Sequence, residues 1–101
     1  MERLEYKEDI SLDQVFKEND YIVKNAAFHA IHQNYFKRKI DCILVITIII
    51  YNTEHSIRLS RNLYITALES CIITFEKTEE YEKCSLATKI IKRIHHLENL
   101  Y

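Results

Sequence analysis

The sequence predicts an α+β fold, in which N-terminal helices are followed by a β-hairpin and then by a C-terminal antiparallel helical hairpin. Apolar residues recur at steps of three and four in residues 21–37 and again after residue 60, which is the period of an amphipathic helix. Between these segments, most of residues 41–50 are Ile, Val or Thr, whose branching at Cβ favours strands. The alternative is an all-α fold, because a run that is apolar throughout can also be a buried helix.

The N-terminal third is expected to hold an arm and two helices. Residues 1–10 are interpreted as a loose arm or a short edge strand, with Leu4 and Tyr6 on one side. Ser11 and Gln14 have the spacing of a capping box, so a short helix begins there and ends near residue 18. A second helix is predicted over residues 21–37, with Asp20 as its cap.

The apolar run at 41–51 and the alternating residues 54–59 are expected to pair around Asn52-Thr53. If the first strand alternates strictly, both of its faces are apolar, whereas the outer face of a hairpin over helices should be polar. Either the chain's own helices or another subunit must then cover the second face, and we expect another subunit. This predicts a homodimer or higher oligomer whose interaction surface includes Ile43, Val45, Ile49 and Tyr51.

Two further helices are expected after Ser60, which is a candidate cap. The first has an apolar stripe from Tyr64 to Phe75, and residues 77–80 interrupt the pattern. Thr78 is expected to cap the last helix, whose predicted stripe is Tyr81, Cys84, Ala87 or Thr88, Ile91 and Ile94. So short a connection requires the two helices to be antiparallel.

The segment Glu79-Glu80-Tyr81-Glu82-Lys83-Cys84-Ser85, followed by Ile91-Lys92-Arg93-Ile94, resembles the UVR motif of bacterial nucleotide-excision-repair proteins over about residues 67–94. The acidic turn, Tyr81, Glu82 and the small pair Cys84-Ser85 match the motif, whereas Thr88-Lys89 replaces its Arg-Asp pair. In that family the hairpin pairs protein with protein. The resemblance therefore implies an interaction element containing Tyr81 rather than a catalyst, while the replaced pair leaves the partner undefined.

The amino-acid composition argues against some classes of protein and favours others. A net charge of -1 argues against a protein whose main role is to coat nucleic acid. Cys42, Cys71 and Cys84 form no CxxC pair and occupy apolar positions, so we expect free, core-filling thiols in a cytoplasmic protein. The longest apolar run is too short to span a membrane. Ile, Lys, Asn and Tyr are abundant while Ala is scarce, which points to an AT-rich genome such as that of a bacteriophage or a low-GC bacterium. If the protein is phage-encoded, it is expected in the host cytoplasm.

Few side chains have a spacing that indicates chemistry. Two histidine pairs, His29 with His32 and His95 with His96, lack the further ligand or glutamate base of a metal site, so surface or half-buried histidines and no cofactor are expected. The carboxylates at residues 76–82 are interpreted as solvated. A basic cluster could contact phosphate near one end of the hairpin, although no Gly-rich loop or interleaved aromatic residues accompany it; its members are Lys37, Arg38, Lys39, Arg58 and Arg61.

The sequence therefore predicts a small, non-enzymatic protein–protein interaction protein, which acts as an oligomer on an unidentified protein, in the manner of a phage-type regulator or inhibitor of host machinery. The alternative is a nucleic-acid-associated accessory protein that uses the basic cluster. Residues 1–97 are expected to form one small domain. Residues 98–101, Glu98-Asn99-Leu100-Tyr101, match the start of a protease-cleavage tag and are interpreted as a scar.

Overall fold

A computed structural model describes residues 3–99 of the chain. Within them, the elements follow the order β1 (Arg3–Tyr6), α1 (Leu12–Glu18), α2 (Asp20–Asn34), β2 (Cys42–Ile50), β3 (Thr53–Ser60), a 3-10 turn (Arg61–Leu63), α3 (Tyr64–Lys77) and α4 (Tyr81–Glu98). The predicted α+β class is confirmed, and the two C-terminal helices pack together. Of the expected scar, Glu98 ends α4 and Asn99 follows it, whereas residues 100 and 101 lie outside the described part, as do residues 1 and 2 of the expected arm.

The three strands form one sheet in the order β1-β2-β3. Strand β1 runs parallel to β2, with Arg3 opposite Thr47 and Tyr6 opposite Ile50, and β3 is antiparallel to β2. A parallel neighbour requires a crossover, which here passes through α1 and α2. The side-chain amide of Asn19 fastens this crossover, because Nδ2 lies 2.6 Å from the Tyr6 hydroxyl and 2.9 Å from the Val15 carbonyl oxygen.

A β-bulge in β2 determines which of its side chains face the helices. Ile43 pairs with Leu59 and Ile46 with Ile57, so Val45 is the additional residue on β2. Val45 packs with Ala26 and Ala27 of α2, in the same core cluster as Ile46. The expected division of this strand into two strictly alternating faces is therefore wrong, because the bulge changes the alternation partway along the strand.

All described helices lie on one face of the sheet. Helix α2 packs on β2, α3 packs on α2, and α4 packs on α3. The core between α2, α3 and α4 is built from large apolar side chains: Phe28, Ile31, Tyr64, Leu68, Phe75, Ile90 and Ile94. On the opposite face, Thr47 and Ile49 of β2 are only 8% and 7% exposed, because the neighbouring residues of β1 and β3 flank them.

Four helix ends differ from the sequence-based expectation. The cap at Ser11 is confirmed, since its Oγ accepts a hydrogen bond from the Gln14 N–H at 3.2 Å, whereas α2 begins at Asp20, after Asn19, and ends at Asn34. Ser60 precedes the 3-10 turn without a side-chain cap. Thr78 ends α3 and does not cap α4, whose N-cap is Glu80.

The predicted stripe of α4 is also partly wrong. Ala87, Ile90 and Ile94 are buried, while Tyr81 and Thr88 are exposed and Ile91 is only half-buried. The prediction chose Ile91 from two adjacent isoleucines, and the helix turns Ile90 toward α3 instead. Within residues 3–99, no helix combines the length and the apolarity needed to cross a membrane.

Candidate interaction surface at the sheet edge

The outer edge of β3 is the longest open strand edge in the described part of the chain. Its eight residues, Thr53–Ser60, have β2 on one side and no described strand on the other. The strand has neither Pro nor Lys, and the bulge lies on β2 rather than on β3. Bulges, prolines and charged side chains protect open edges; β3 carries the charged Glu54 and Arg58 but has neither a bulge nor a proline, so its backbone can accept another strand.

The hairpin turn decides which backbone groups of β3 are free. The turn residues are Tyr51 and Asn52, with φ of 49° and 63°, which is a two-residue type I′ turn and not the expected Asn52-Thr53. Its flanking residues, Ile50 and Thr53, form the closing hydrogen-bonded pair, so odd-numbered residues of β3 bond to β2. The Tyr51 N–H accordingly bonds to the Tyr6 carbonyl of β1, 3.1 Å away. The N–H and C=O groups of the even-numbered residues therefore point to the open edge.

The side chains of this edge are all polar on one face, whereas the helix side carries Ile57 and Leu59 together with Thr53 and His55. Glu54, Ser56, Arg58 and Ser60 are exposed on the face that no described helix covers. Ile57 and Leu59 are half-buried on the helix side. The two charges have opposite signs, and Ser56 lies midway between them. A second, antiparallel copy of the strand would meet this pattern in reverse order.

A shorter open edge lies on β2, where β1 pairs only with residues 47–50. The remaining edge, Cys42–Ile46, borders a groove of about 620 Å³ between β2 and α2, whose lining includes His29, Gln33 and Leu44. The bulge at Val45 interrupts this edge, and bulged strands twist away from further pairing. The edge of β3 is therefore the better candidate for adding a strand.

The structure places the predicted interaction residues in two environments. Ile43, Val45 and Ile49 are 5%, 7% and 7% exposed and are covered within a single chain. Tyr51 and Tyr81 are 60% and 63% exposed. Tyr51 lies in the turn beside the β3 edge, whereas Tyr81 begins α4. Sequence reasoning overlooked Glu54 and Ser56 and considered Arg58 only as a phosphate contact, although the alternation in residues 54–59 already placed all three on one face.

The segment for which a resemblance to the UVR motif is predicted, about residues 67–94, lies within the α3–α4 hairpin. It closes through a tight connection in which the Glu80 N–H donates to the Phe75 carbonyl at 2.8 Å. No protein-family model, curated protein or solved structure matches this chain. The resemblance to the UVR motif therefore stays a prediction.

The predicted basic cluster is only partly assembled. The guanidinium of Arg61 donates to the carbonyl oxygens of Tyr35 at 2.7 Å and Lys37 at 3.2 Å, and Arg38 donates to that of Leu97 at 3.3 Å. These contacts fasten the loop after α2 to the start of the 3-10 turn and to the end of α4. Lys39 is exposed on the same loop, whereas Arg58 lies on the open face of the sheet. Two of the five cations thus hold the loop in place.

The remaining candidate groups are dispersed. His29 and His32 both stack or pack edge-on against the Phe28 ring, with centroids 5.4 and 6.2 Å away. In the described part of the chain, no three His, Cys, Asp or Glu side chains are grouped so that they could hold a metal ion. The three thiols are free, as predicted. Cys42 is exposed, however, and does not fill the core, because it begins β2 opposite Ser60 on the open face.

Proposed function

We propose that this chain is a non-enzymatic protein-interaction module that acts as an oligomer and assembles through the open edge of β3. The observation that carries the proposal is the eight-residue edge itself, which is unbulged, lacks Pro and Lys, and presents the free backbone groups of Glu54, Ser56 and Arg58. Such an edge is a template for another strand, and adding one satisfies its hydrogen-bonding groups.

The occupant that we propose is a second copy of this chain. An edge with charges of a single sign would repel its own copy, whereas β3 has one carboxylate and one guanidinium on its exposed face, at Glu54 and Arg58. The contact between subunits was expected from the sequence on β2, whereas we propose that it lies on β3. The predicted contact residues Ile43, Val45 and Ile49 are buried inside the protomer, and only Tyr51 adjoins the β3 edge.

We further propose that the assembled protein acts on another protein, as a regulator or inhibitor of host machinery if the chain is phage-encoded. The amino-acid composition, which indicates an AT-rich genome, supports this part of the proposal. The UVR-like hairpin with its exposed Tyr81 supports it as well. Nucleic-acid binding has less support. Arg38 and Arg61 donate hydrogen bonds to main-chain carbonyl oxygens of the fold, which leaves fewer donors for phosphate.

Sedimentation equilibrium of the purified chain tests the proposal. The protomer mass is 12.2 kDa, and we expect an average mass that rises toward twice this value as the concentration increases. A contact limited to a strand edge is small, so the dissociation constant should be on the order of micromolar. A wild-type chain that stays at the protomer mass up to about 0.5 mM, far above that dissociation constant, would contradict the proposal.

A matched pair of variants localises the contact. Ser56→Pro removes an N–H that faces the open edge, and Pro is tolerated on the free side of an edge strand, so the protomer should stay folded while association is lost. Ser56→Ala keeps the backbone donor and should associate like the wild type. Circular dichroism of both variants verifies that the fold is intact. Equal association of the two variants would place the contact elsewhere.

A further inference from the structure

We infer that two copies of β3 pair antiparallel about a two-fold axis through Ser56, so that Glu54 of each copy faces Arg58 of the other. This inference rests on the proposed function, because it specifies how the β3 edge recognises its partner. A two-fold contact uses the same patch on both copies and must be self-complementary. Three properties of β3 satisfy that requirement in this register.

The first property is the backbone pattern. In antiparallel strands, directly opposite residues alternate between pairs that exchange two hydrogen bonds and pairs that exchange none. The free N–H and C=O groups belong to the even-numbered residues of β3. Centring the axis on Ser56 places Ser56 opposite its own copy and residue 54 opposite residue 58. All three pairs then join residues whose backbone groups are free.

The second property is the order of charges along the exposed face. With the axis at Ser56, the carboxylate of Glu54 lies opposite the guanidinium of Arg58 twice, once on each side of the axis. Moving the axis to Ile57 places Glu54 opposite Ser60, and moving it to His55 places Glu54 opposite Ser56. Since opposite charges on directly opposing residues stabilise a sheet, the Ser56 register is preferred over both neighbours.

The third property is the state of the helix-side residues. Ile57 and Leu59 are half-buried in the protomer although they flank the core. In the Ser56 register, Ile57 lies opposite His55 of the second copy, and Leu59 lies opposite Thr53. Each apolar side chain thereby gains a neighbour on its open side. Three strands from each copy form one continuous sheet of six strands.

Charge reversal tests the register. Glu54→Arg and Arg58→Glu each place like charges opposite one another at both pairs, and each should raise the dimer dissociation constant about 10- to 100-fold. The double variant Glu54→Arg/Arg58→Glu restores opposite charges with their positions exchanged, and should return the constant to within about threefold of the wild type. The single-variant effects should shrink in roughly 0.5 M salt, because exposed charges are screened.

The possible failures point to different errors. A monomeric wild-type chain would overturn the proposed function and the register together. A dimer that Ser56→Pro dissociates, but in which the double reversal binds as weakly as the single variants, would overturn the register alone. All four chains carry their changes at exposed positions, so circular dichroism should show equal folding.

Disulfide trapping is an independent measure of the same register. In a chain with Cys42→Ser, the variant Ser56→Cys should form a disulfide-linked dimer on mild oxidation, because opposing Cα atoms of a hydrogen-bonded pair lie about 5.5 Å apart. The matched control, Ser60→Cys in the same background, lies on the same face, but its two copies would be about 27 Å apart. A dimer band for Ser60→Cys equal to that for Ser56→Cys, or no band for Ser56→Cys, would overturn the register.

Discussion

The thiols of Cys42 and Cys71 differ sharply in exposure. Cys71 is fully buried, its Sγ donates to the Lys24 carbonyl oxygen at 3.2 Å, and burial raises its pKa to about 11. Cys42 is exposed at the start of β2. Because the thiolate is the reactive form, iodoacetamide at roughly pH 8 should alkylate Cys42 in the folded protein and Cys71 only after unfolding in urea. Peptide mass mapping measures both sites, and equal rates in the folded state would contradict the burial of Cys71.

The carboxylate of Glu80 connects the α3–α4 turn to α2. Hydrogen bonds from Thr78, Lys83 and Tyr21 lower its pKa from 4.5 to about 2. The Lys83 ammonium lies 2.9 Å away and also contacts the side-chain oxygen of Asn25, 3.0 Å from Nζ. Since the folded chain holds this carboxylate in its charged form, Glu80 stabilises the fold above about pH 4.5, and the stabilisation is lost as the pH falls toward 2.

The variant Glu80→Gln should reveal this pH dependence. Its melting temperature should lie below that of the wild type at pH 7, and the gap should close progressively between about pH 4.5 and pH 2. Glu82→Gln is the matched control, because Glu82 is an exposed carboxylate in the adjoining first turn of α4, and its side chain has no comparable hydrogen-bond network among the described residues. A gap that is unchanged across the acidic range would show that the Glu80 contacts contribute no charge-dependent stability.

At the scale of elements, the end of α3 depends on a residue in the left-handed region. Glu79 has a φ of 59°, its N–H donates to the Glu76 carbonyl at 3.1 Å, and the Glu80 N–H donates to the Phe75 carbonyl at 2.8 Å. These two bonds form a Schellman motif, whose left-handed position is usually glycine. In a chain without glycine, Glu79 adopts this conformation at a steric cost.

Replacing Glu79 with glycine should therefore stabilise the protein. We expect Glu79→Gly to raise the free energy of unfolding by about 1 kcal/mol, because glycine reaches positive φ without a Cβ clash. Lys89→Gly, at an exposed position in the middle of α4, should lower it by about 1 kcal/mol, since glycine is a poor residue in a helix interior. Urea denaturation of the three chains measures both changes. Destabilisation of equal size at the two positions would contradict the assigned turn.

The elements themselves could largely be predicted, because they depend on local patterns. The β-branched run gave β2, and the stripe from Tyr64 to Phe75 gave α3 within a few residues of its observed ends. The bulge at Val45 could not be predicted, since it depends on how β2 and β3 pair along their whole length. The parallel pairing of β1 with β2 could not be predicted either, because the four residues of β1 do not indicate a partner strand that follows two helices along the chain.

The candidate site was harder to predict than the fold. The sequence correctly indicated an exceptionally apolar strand, from which exposure of Ile43, Val45 and Ile49 was inferred. That inference counted only the helices as possible cover. In the structure β2 is the central strand, so flanking strands shield Ile49, while the bulge directs Val45 toward α2. The open edge then falls on β3, whose plain alternating pattern appeared unremarkable beside its neighbour.

At the scale of the whole molecule, helices on only one side of the sheet make the protein flat. The principal extents are 47 × 33 × 19 Å, and the shortest corresponds to little more than a sheet and one layer of helices. When two such sheets join edge to edge, neither broad face of a protomer has to pack against the other protomer. In a dimer joined at β3 in the Ser56 register, the two groups of helices would lie on the same side of the joined sheet, leaving Tyr81 of each copy accessible to a further protein.

The parallel seam between β1 and β2 has a kinetic consequence. Strand β1 pairs with Thr47–Ile50, and α1 and α2 lie between these two segments along the chain. Forming this pairing therefore closes a long loop, whereas the β2–β3 hairpin closes through a tight turn. We therefore expect β1 to dock late during folding and to detach first in the native state, with the amides of its seam exchanging with deuterium sooner than those of the hairpin. Each such opening would expose the edge of β2 at Ile48–Ile50, with which β1 of another molecule could then pair. At high concentration we therefore expect strand-exchanged oligomers of this protein.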